Sequence, residues 1–150
     1  MKERLILLNT LMKRIGDFSM NSFEGRLKFQ KRVYLLKAIG FGLNYNFSWF
    51  IRGPYSPELT DDGFEIFMNQ SKINERKLNE HEEKDLGEFM LLTKGFDTNE
   101  IEALASLHFL KKIYAQSKEK TISRLIEIKK HLNKNICETS WNRLEKFNLV

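Results

Sequence analysis

Asn44-Tyr45-Asn46-Phe47-Ser48-Trp49-Phe50-Ile51-Arg52-Gly53-Pro54-Tyr55-Ser56-Pro57-Glu58-Leu59 is the stretch on which the fold turns. Tyr45, Phe47, Trp49 and Ile51 alternate with Asn46, Ser48, Phe50 and Arg52, and a period of two with aromatic enrichment predicts a strand or short hairpin over 44–52. Gly53-Pro54 is expected to end it. Ser56 then offers a hydroxyl cap and Pro57 suits the first helical position, so a helix should start there and carry Leu59, Phe64, Phe67 and Met68. Both prolines of the chain fall in this one turn, which should be rigid.

Working outward, the N-terminal side reads as two helices. Residues 3–18 place Leu5, Leu8, Met12 and Ile15 on one face of an amphipathic helix. From Gly25 to Ile39 apolar residues fall on several sides (Leu27, Phe29, Val33, Leu36), the pattern of a mostly buried helix, yet Lys28, Lys31 and Arg32 share one side of it. Gly40-Phe41-Gly42 is a helix stop. On the C-terminal side, residues 69–79 are almost entirely polar and form the best candidate for a mobile linker within one domain spanning 1–150. Asn79 with Glu82 and Asp97 with Glu100 have capping-box spacing, which predicts helices from His81 and Thr98. A further helix should carry Ile122, Leu125, Ile126 and Leu132, and a last one Trp141 and Leu144. The expected fold is therefore mainly α with a minor α+β element: a helical body with a small strand or hairpin, as in winged-helix and helix-turn-helix domains, although other α+β folds satisfy the same string.

Composition narrows the function. The chain has 150 residues, 41% hydrophobic and 30% charged, with 25 Lys+Arg against 20 Asp+Glu and a net charge of +5. The longest uncharged run, between Lys37 and Arg52, is interrupted by Gly40, Gly42, Asn44, Asn46 and Ser48 and falls short of the roughly 20 apolar residues of a membrane span. Leu5-Ile6-Leu7-Leu8 is too short for a secretory core, so a cytoplasmic protein without membrane partners is expected. Cys137 is the only cysteine, which excludes an intramolecular disulfide and any multi-cysteine metal site. The charge is arranged in blocks: residues 1–60 are +6, residues 61–110 are −7 and residues 111–150 are +6. Such segments either organise the surface or attract one another in the fold.

The run Arg26-Leu27-Lys28-Phe29-Gln30-Lys31-Arg32-Val33-Tyr34-Leu35-Leu36, with Gly40-Phe41, Tyr45-Asn46-Phe47 and Gly53-Pro54-Tyr55-Ser56-Pro57-Glu58-Leu59, resembles the YwgA-like proteins of bacteria and archaea. More distantly it is similar to the Panacea domain of SocA- and GepA-type antitoxins. The shared features are a Lys28, Gln30, Lys31, Tyr34 helix, an aromatic strand and a Gly-Pro turn, matching over residues 26–62. Tyr55-Ser56 after Gly-Pro is closer to the YwgA-like form, and Phe29 stands where leucine is usual. The resemblance implies a compact, mainly helical domain without established catalysis and, on the Panacea side, neutralisation of a toxin partner.

Read from the residues alone, Lys28, Gln30, Lys31 and Tyr34 should meet the turn formed by Gly53, Pro54, Tyr55 and Ser56. Buried amide and phenol groups need partners, which makes a structural clasp the first reading and a partner-binding site the second. Glu58, Asp61, Asp62 and Glu65 share one side of a helix and could hold a metal, but acids there more simply complement the helix dipole and neighbouring Lys28, Lys31 and Arg32. His81, His108 and His131 lack ligand spacing, and His108 lies on an apolar face as a hydrogen-bonded core histidine. No metal, cofactor or catalytic residue is expected. The C-terminal block has loose helix-turn-helix spacing: Thr121–Leu132, a turn through Asn133-Lys134-Asn135, and Thr139–Phe147. There Asn142, Arg143 and Lys146 face away from Trp141 and Leu144, and with Arg124, Lys129 and Lys130 they suit base edges and phosphates; a docked helix with a solvated polar face satisfies the same pattern. The expectation is thus a non-enzymatic binding protein: a small DNA-binding regulator of helix-turn-helix type, or alternatively an antitoxin-like or adaptor protein with a protein partner. Convergence of the basic residues on one face would favour DNA.

Overall fold

The aromatic stretch folds as a hairpin displaced toward its C-terminal end. In a computed structural model, which describes residues 2–51 and 53–150, β1 (Ser48–Phe50) and β2 (Gly53–Tyr55) pair antiparallel, with Ser48 opposite Tyr55, Trp49 opposite Pro54 and Phe50 opposite Gly53. Gly53-Pro54 therefore opens a second strand instead of ending the first. Gly53 makes this possible at a φ of +97°, a conformation that L residues rarely adopt, and Pro54 is tolerated because the ribbon has a single ladder. The alternation upstream has another origin. Phe41, Leu43 and Tyr45 are buried while Gly42, Asn44 and Asn46 are exposed, but the chain is held by successive short turns, Leu43 N to Phe41 O (2.8 Å) and Tyr45 N to Leu43 O (2.9 Å). An extended segment with one face inward carries the period of a strand without a strand partner.

Among the described residues the rest is helical: α1 (Glu3–Ile15), α2 (Phe23–Ile39), α3 (Pro57–Met68), α4 (Glu80–Thr93), α5 (Thr98–Tyr114), α6 (Lys118–Ile128) and α7 (Lys134–Lys146). The fold is mainly α with a minor β hairpin. Caps set most of the boundaries. Ser22 accepts from Gly25 N and starts α2, Ser56 accepts from Leu59 N and starts α3 with Pro57 in its first turn, and both capping boxes form at α4 and α5. Asn133 caps α7 through Ile136 N, so Lys134 and Asn135, expected in the turn, belong to that helix, and α6 stops at Ile128 short of Leu132.

The core is organised around α5, which packs against α2, α6, α7 and β2. Ala103, Leu104, Ala105 and Leu107 are fully enclosed there, and the two alanines let neighbouring elements approach closely. Segment 69–79 lies against α1: the Asn9 amide donates to Ile73 O (3.1 Å) and Asn74 O (3.3 Å), Arg76 N donates to Thr10 Oγ1 (3.0 Å), and Ile73 and Leu78 are buried. None of the described helices is long and apolar enough to cross a membrane.

Candidate functional site

One face of α2 holds the hairpin in place. The buried Gln30 amide donates to Ser56 O (2.8 Å) and to Thr60 Oγ1 (2.8 Å), and its oxygen accepts from Ser56 N (3.0 Å). Thr60 in turn donates to Tyr55 Oη (2.9 Å), and the buried Lys31 ammonium donates to Pro54 O (2.8 Å). Four backbone and side-chain groups of the turn are thereby satisfied by two residues one position apart on the helix. Gln30, Lys31, Gly53, Pro54, Tyr55 and Ser56 come together as the sequence suggests. Tyr34 does not join them; it pairs with His108 Nδ1 on α5 (2.7 Å). Lys28 lies apart, paired with Asp17 (2.6 Å).

The far side of the hairpin is anchored by a cluster that sequence reasoning missed. Lys129 Nζ donates to Ile51 O (2.6 Å) and to Glu102 (3.0 Å), and Glu102 also meets His131 Nε2 (3.0 Å). The side chains of Glu102 and Lys129 are 0% and 1% exposed. The one signal for it was a lone acid within the apolar run of residues 101–107.

Held from both sides, the hairpin forms one wall of an apolar groove of about 370 Å³. Its walls are Phe23 and Leu27 of α2, Phe50 and Ile51 at the hairpin tip, and Phe64 of α3; Gln30, Thr60 and Tyr55 line its polar side. Four of these side chains are exposed large apolar residues: Ile51 at 80%, Phe23 and Phe50 at 56% and Phe64 at 38%. Phe50 stacks on Tyr55 with ring centres 5.2 Å apart, which orients the tip. Arg26 lines the same groove, and its guanidinium donates to Met20 O (3.0 Å). Among the described residues no Asp or Glu lines it.

The residues expected to meet DNA are placed differently. Lys129 is buried in the cluster just described, not on a surface patch. Arg143 is spent on the C-terminal end of α4, donating to Leu91 O (3.2 Å), Leu92 O (2.9 Å) and Lys94 O (3.1 Å) while covering the Phe96 ring at 4.1 Å. Carbonyls left open at a helix end attract such a cation. Arg124 stacks on Tyr114 at 3.9 Å and reaches Gln116 (3.3 Å). Asn142, Lys130 and Lys146 are exposed, and Asn142 accepts from Lys118 at 3.4 Å.

The acids of α3 also differ from expectation. Glu58 and Asp62 face Arg4 of α1, not Lys28 and Lys31: Arg4 donates to Glu58 and, at 3.1 Å, to Asp62, which accepts from the Tyr45 hydroxyl at 2.6 Å. The hydrogen bond from Arg4 holds the Glu58 carboxyl below its usual range, and burial raises the Tyr45 hydroxyl. Asp61 and Glu65 are exposed. Among the described residues no group of three or more His, Cys, Asp or Glu is arranged to hold a metal. Burial pushes the Cys137 thiol up to about 11, the environment of an inert core cysteine. Set beside family models, curated proteins and solved structures, the chain matches none of them.

Proposed function

We propose that this protein is a non-enzymatic interaction module that takes an apolar segment of a protein partner into the groove between α2, α3 and the hairpin tip. The observation that carries this reading is the convergence of Phe23, Phe50, Ile51 and Phe64, all solvent-exposed, on one concave surface. Each large apolar side chain kept in water forgoes about 1.5–3 kcal/mol of burial, and a patch of them around one groove is characteristic of a binding surface. Arg26 supplies a charge at the groove that meets a backbone carbonyl and, among the described residues, no carboxylate. A partner segment with large apolar anchors and an acidic flank fits that lining. The resemblance read over residues 26–62 is compatible with this class only through its more distant Panacea side, which implies neutralisation of a protein toxin, whereas Tyr55-Ser56 is closer to the YwgA-like form.

DNA has weaker support. Of the six residues assigned to it, Lys129, Arg143 and Arg124 are engaged within the fold, which leaves Lys130, Lys146 and Asn142 at the surface. A phosphate-binding face draws on several unengaged cations at once.

Selection from a random-peptide phage library on the immobilised full chain, followed by fluorescence polarisation of synthetic peptides, tests the proposal. Enriched peptides should carry at least two large apolar residues and an excess of Asp and Glu. Their affinity should fall by about tenfold or more in Phe23→Ser/Phe50→Ser, whose thermal midpoint should fall only slightly because each residue is more than half exposed. Absence of enrichment, or affinity indifferent to the double substitution, overturns the proposal. Salt-sensitive binding of duplex DNA instead would restore the nucleic-acid reading.

A further inference from the structure

Beyond the groove, toward the C-terminal ends of α2 and α5, lies a second cavity of about 440 Å³ with a different character. Tyr34 and Lys37 of α2 face His108, Phe109 and Lys112 of α5 across it, and Phe47 closes one side. Its size is that of a small-molecule site. Among the described residues no Asp or Glu lines it.

We infer that this cavity binds a small carboxylate carried on a flat apolar body, with His108 Nε2–H and the Lys112 ammonium as donors to the carboxylate oxygens. The histidine is set up for that role. Burial raises the Tyr34 hydroxyl, which keeps its proton and lies 2.7 Å from His108 Nδ1; the inferred site is the tautomer in which that hydroxyl donates to Nδ1. A neutral imidazole that accepts at Nδ1 carries its hydrogen on Nε2. Burial, reinforced by Lys112, pushes His108 down to about 4, so the ring is neutral at neutral pH. Edge-on contacts of Tyr34 with His108 (5.5 Å between ring centres) and with Phe47 (5.2 Å) fix the orientation of the group. Among the described residues His108 Nε2 has no acceptor.

Lys112 lies one turn beyond His108 on the same helical face and is exposed. Lys37 lies one turn beyond Tyr34, with its ammonium on Tyr45 O at 2.6 Å and 5.9 Å from the centre of the Phe47 ring. Basic residues in the last turns of α2 and α5 also offset the negative ends of those helices. That accounts for the two lysines but not for an oriented donor beside a cavity walled by Phe47 and Phe109. The same helix ends oppose a dianion, which favours a carboxylate over a phosphate, and two donors match its two oxygens.

The test is a histidine side-chain ¹H–¹⁵N correlation experiment on the full chain, titrated with benzoate, with its uncharged analogue benzyl alcohol, and with phenyl phosphate. The His108 Nε2 signal should move saturably with benzoate at an affinity on the order of 1 mM, as befits so small a ligand. Lys112→Gln, an exposed position, should weaken it by about tenfold, and Phe23→Ser/Phe50→Ser should leave it unchanged, separating this site from the groove. A signal that does not move overturns the inference. So does an equal response to benzyl alcohol, or tighter binding of phenyl phosphate than of benzoate.

Discussion

Gly53 and His108 show how much single residues decide here. A Cβ built on Gly53 would stand 2.6 Å from Ser106 Oγ, at a φ of +97° that alanine adopts only under strain. Gly53→Ala should therefore cost about 2–4 kcal/mol in urea unfolding. Gly42→Ala, where nothing lies within 4 Å of the new methyl, should stay within about 0.5 kcal/mol. Equal effects at the two sites would mean that the hairpin does not press on α5. His108 makes a prediction about pH. Its value falls from 6.5 when unfolded to about 4 when folded, so between these limits the unfolded chain takes up a proton that the folded chain refuses. The contribution is complete above pH 6.5 and declines as pH falls toward 4, by at most about 1.4 kcal/mol per unit. Unfolding measured near pH 7 and near pH 5.5 should show the parent losing roughly 1 kcal/mol more than His108→Gln. Parallel losses would contradict a buried neutral imidazole beside Tyr34 and Lys112. The sequence anticipated a core histidine at 108 because it lies on the apolar face of Ile101, Leu104 and Ala105. Its partner, 74 positions away, could not be read there.

Among the elements, those with local signals were legible. Ser56-Pro57 begins α3, and Asn79 with Glu82 and Asp97 with Glu100 close capping boxes at α4 and α5, because each cap is satisfied within four residues of chain. The hairpin was only half legible. Alternation gives an inward face, but whether an extended segment finds a strand partner depends on what lies beside it, and among the described residues no strand pairs with Phe41, Leu43 or Tyr45. Gln30 was picked out with its partners in the turn, since a polar group on a buried helix must be satisfied; the buried Glu102–Lys129 pair, joined from α5 and the α6–α7 connection, was not. The clasp can be tested directly. Gln30→Leu leaves Ser56 N, Ser56 O and Thr60 Oγ1 without their side-chain partner, and it should lower stability by about 2–4 kcal/mol. The same substitution should speed amide exchange across residues 48–56 ahead of α5. If Gln30→Leu is as stable as the parent, the amide does not hold the hairpin.

At the scale of the whole molecule, the charge blocks attract one another. Cations of the first block in α1 meet acids of the middle block: Arg4 with Asp62 (3.1 Å), Lys13 with Glu75 (3.0 Å) and Arg14 with Glu83 (2.7 Å). The third block sends Lys129 into the core against Glu102. Block counting exposed the asymmetry, but which blocks meet is a property of packing, and packing removes many of the cations that a DNA-binding face would use. Four exposed apolar side chains, Phe23, Phe50, Ile51 and Phe64, are gathered around one groove at the hairpin tip. On the proposed reading, binding is driven by burial of that apolar surface. It is tested most directly by calorimetric titration of a selected peptide at several temperatures. The expected result is a clearly negative heat-capacity change that shrinks in Phe23→Ser/Phe50→Ser and an affinity that falls only modestly as salt screens the acidic flank. A heat-capacity change near zero, with affinity falling steeply as salt rises, would contradict it.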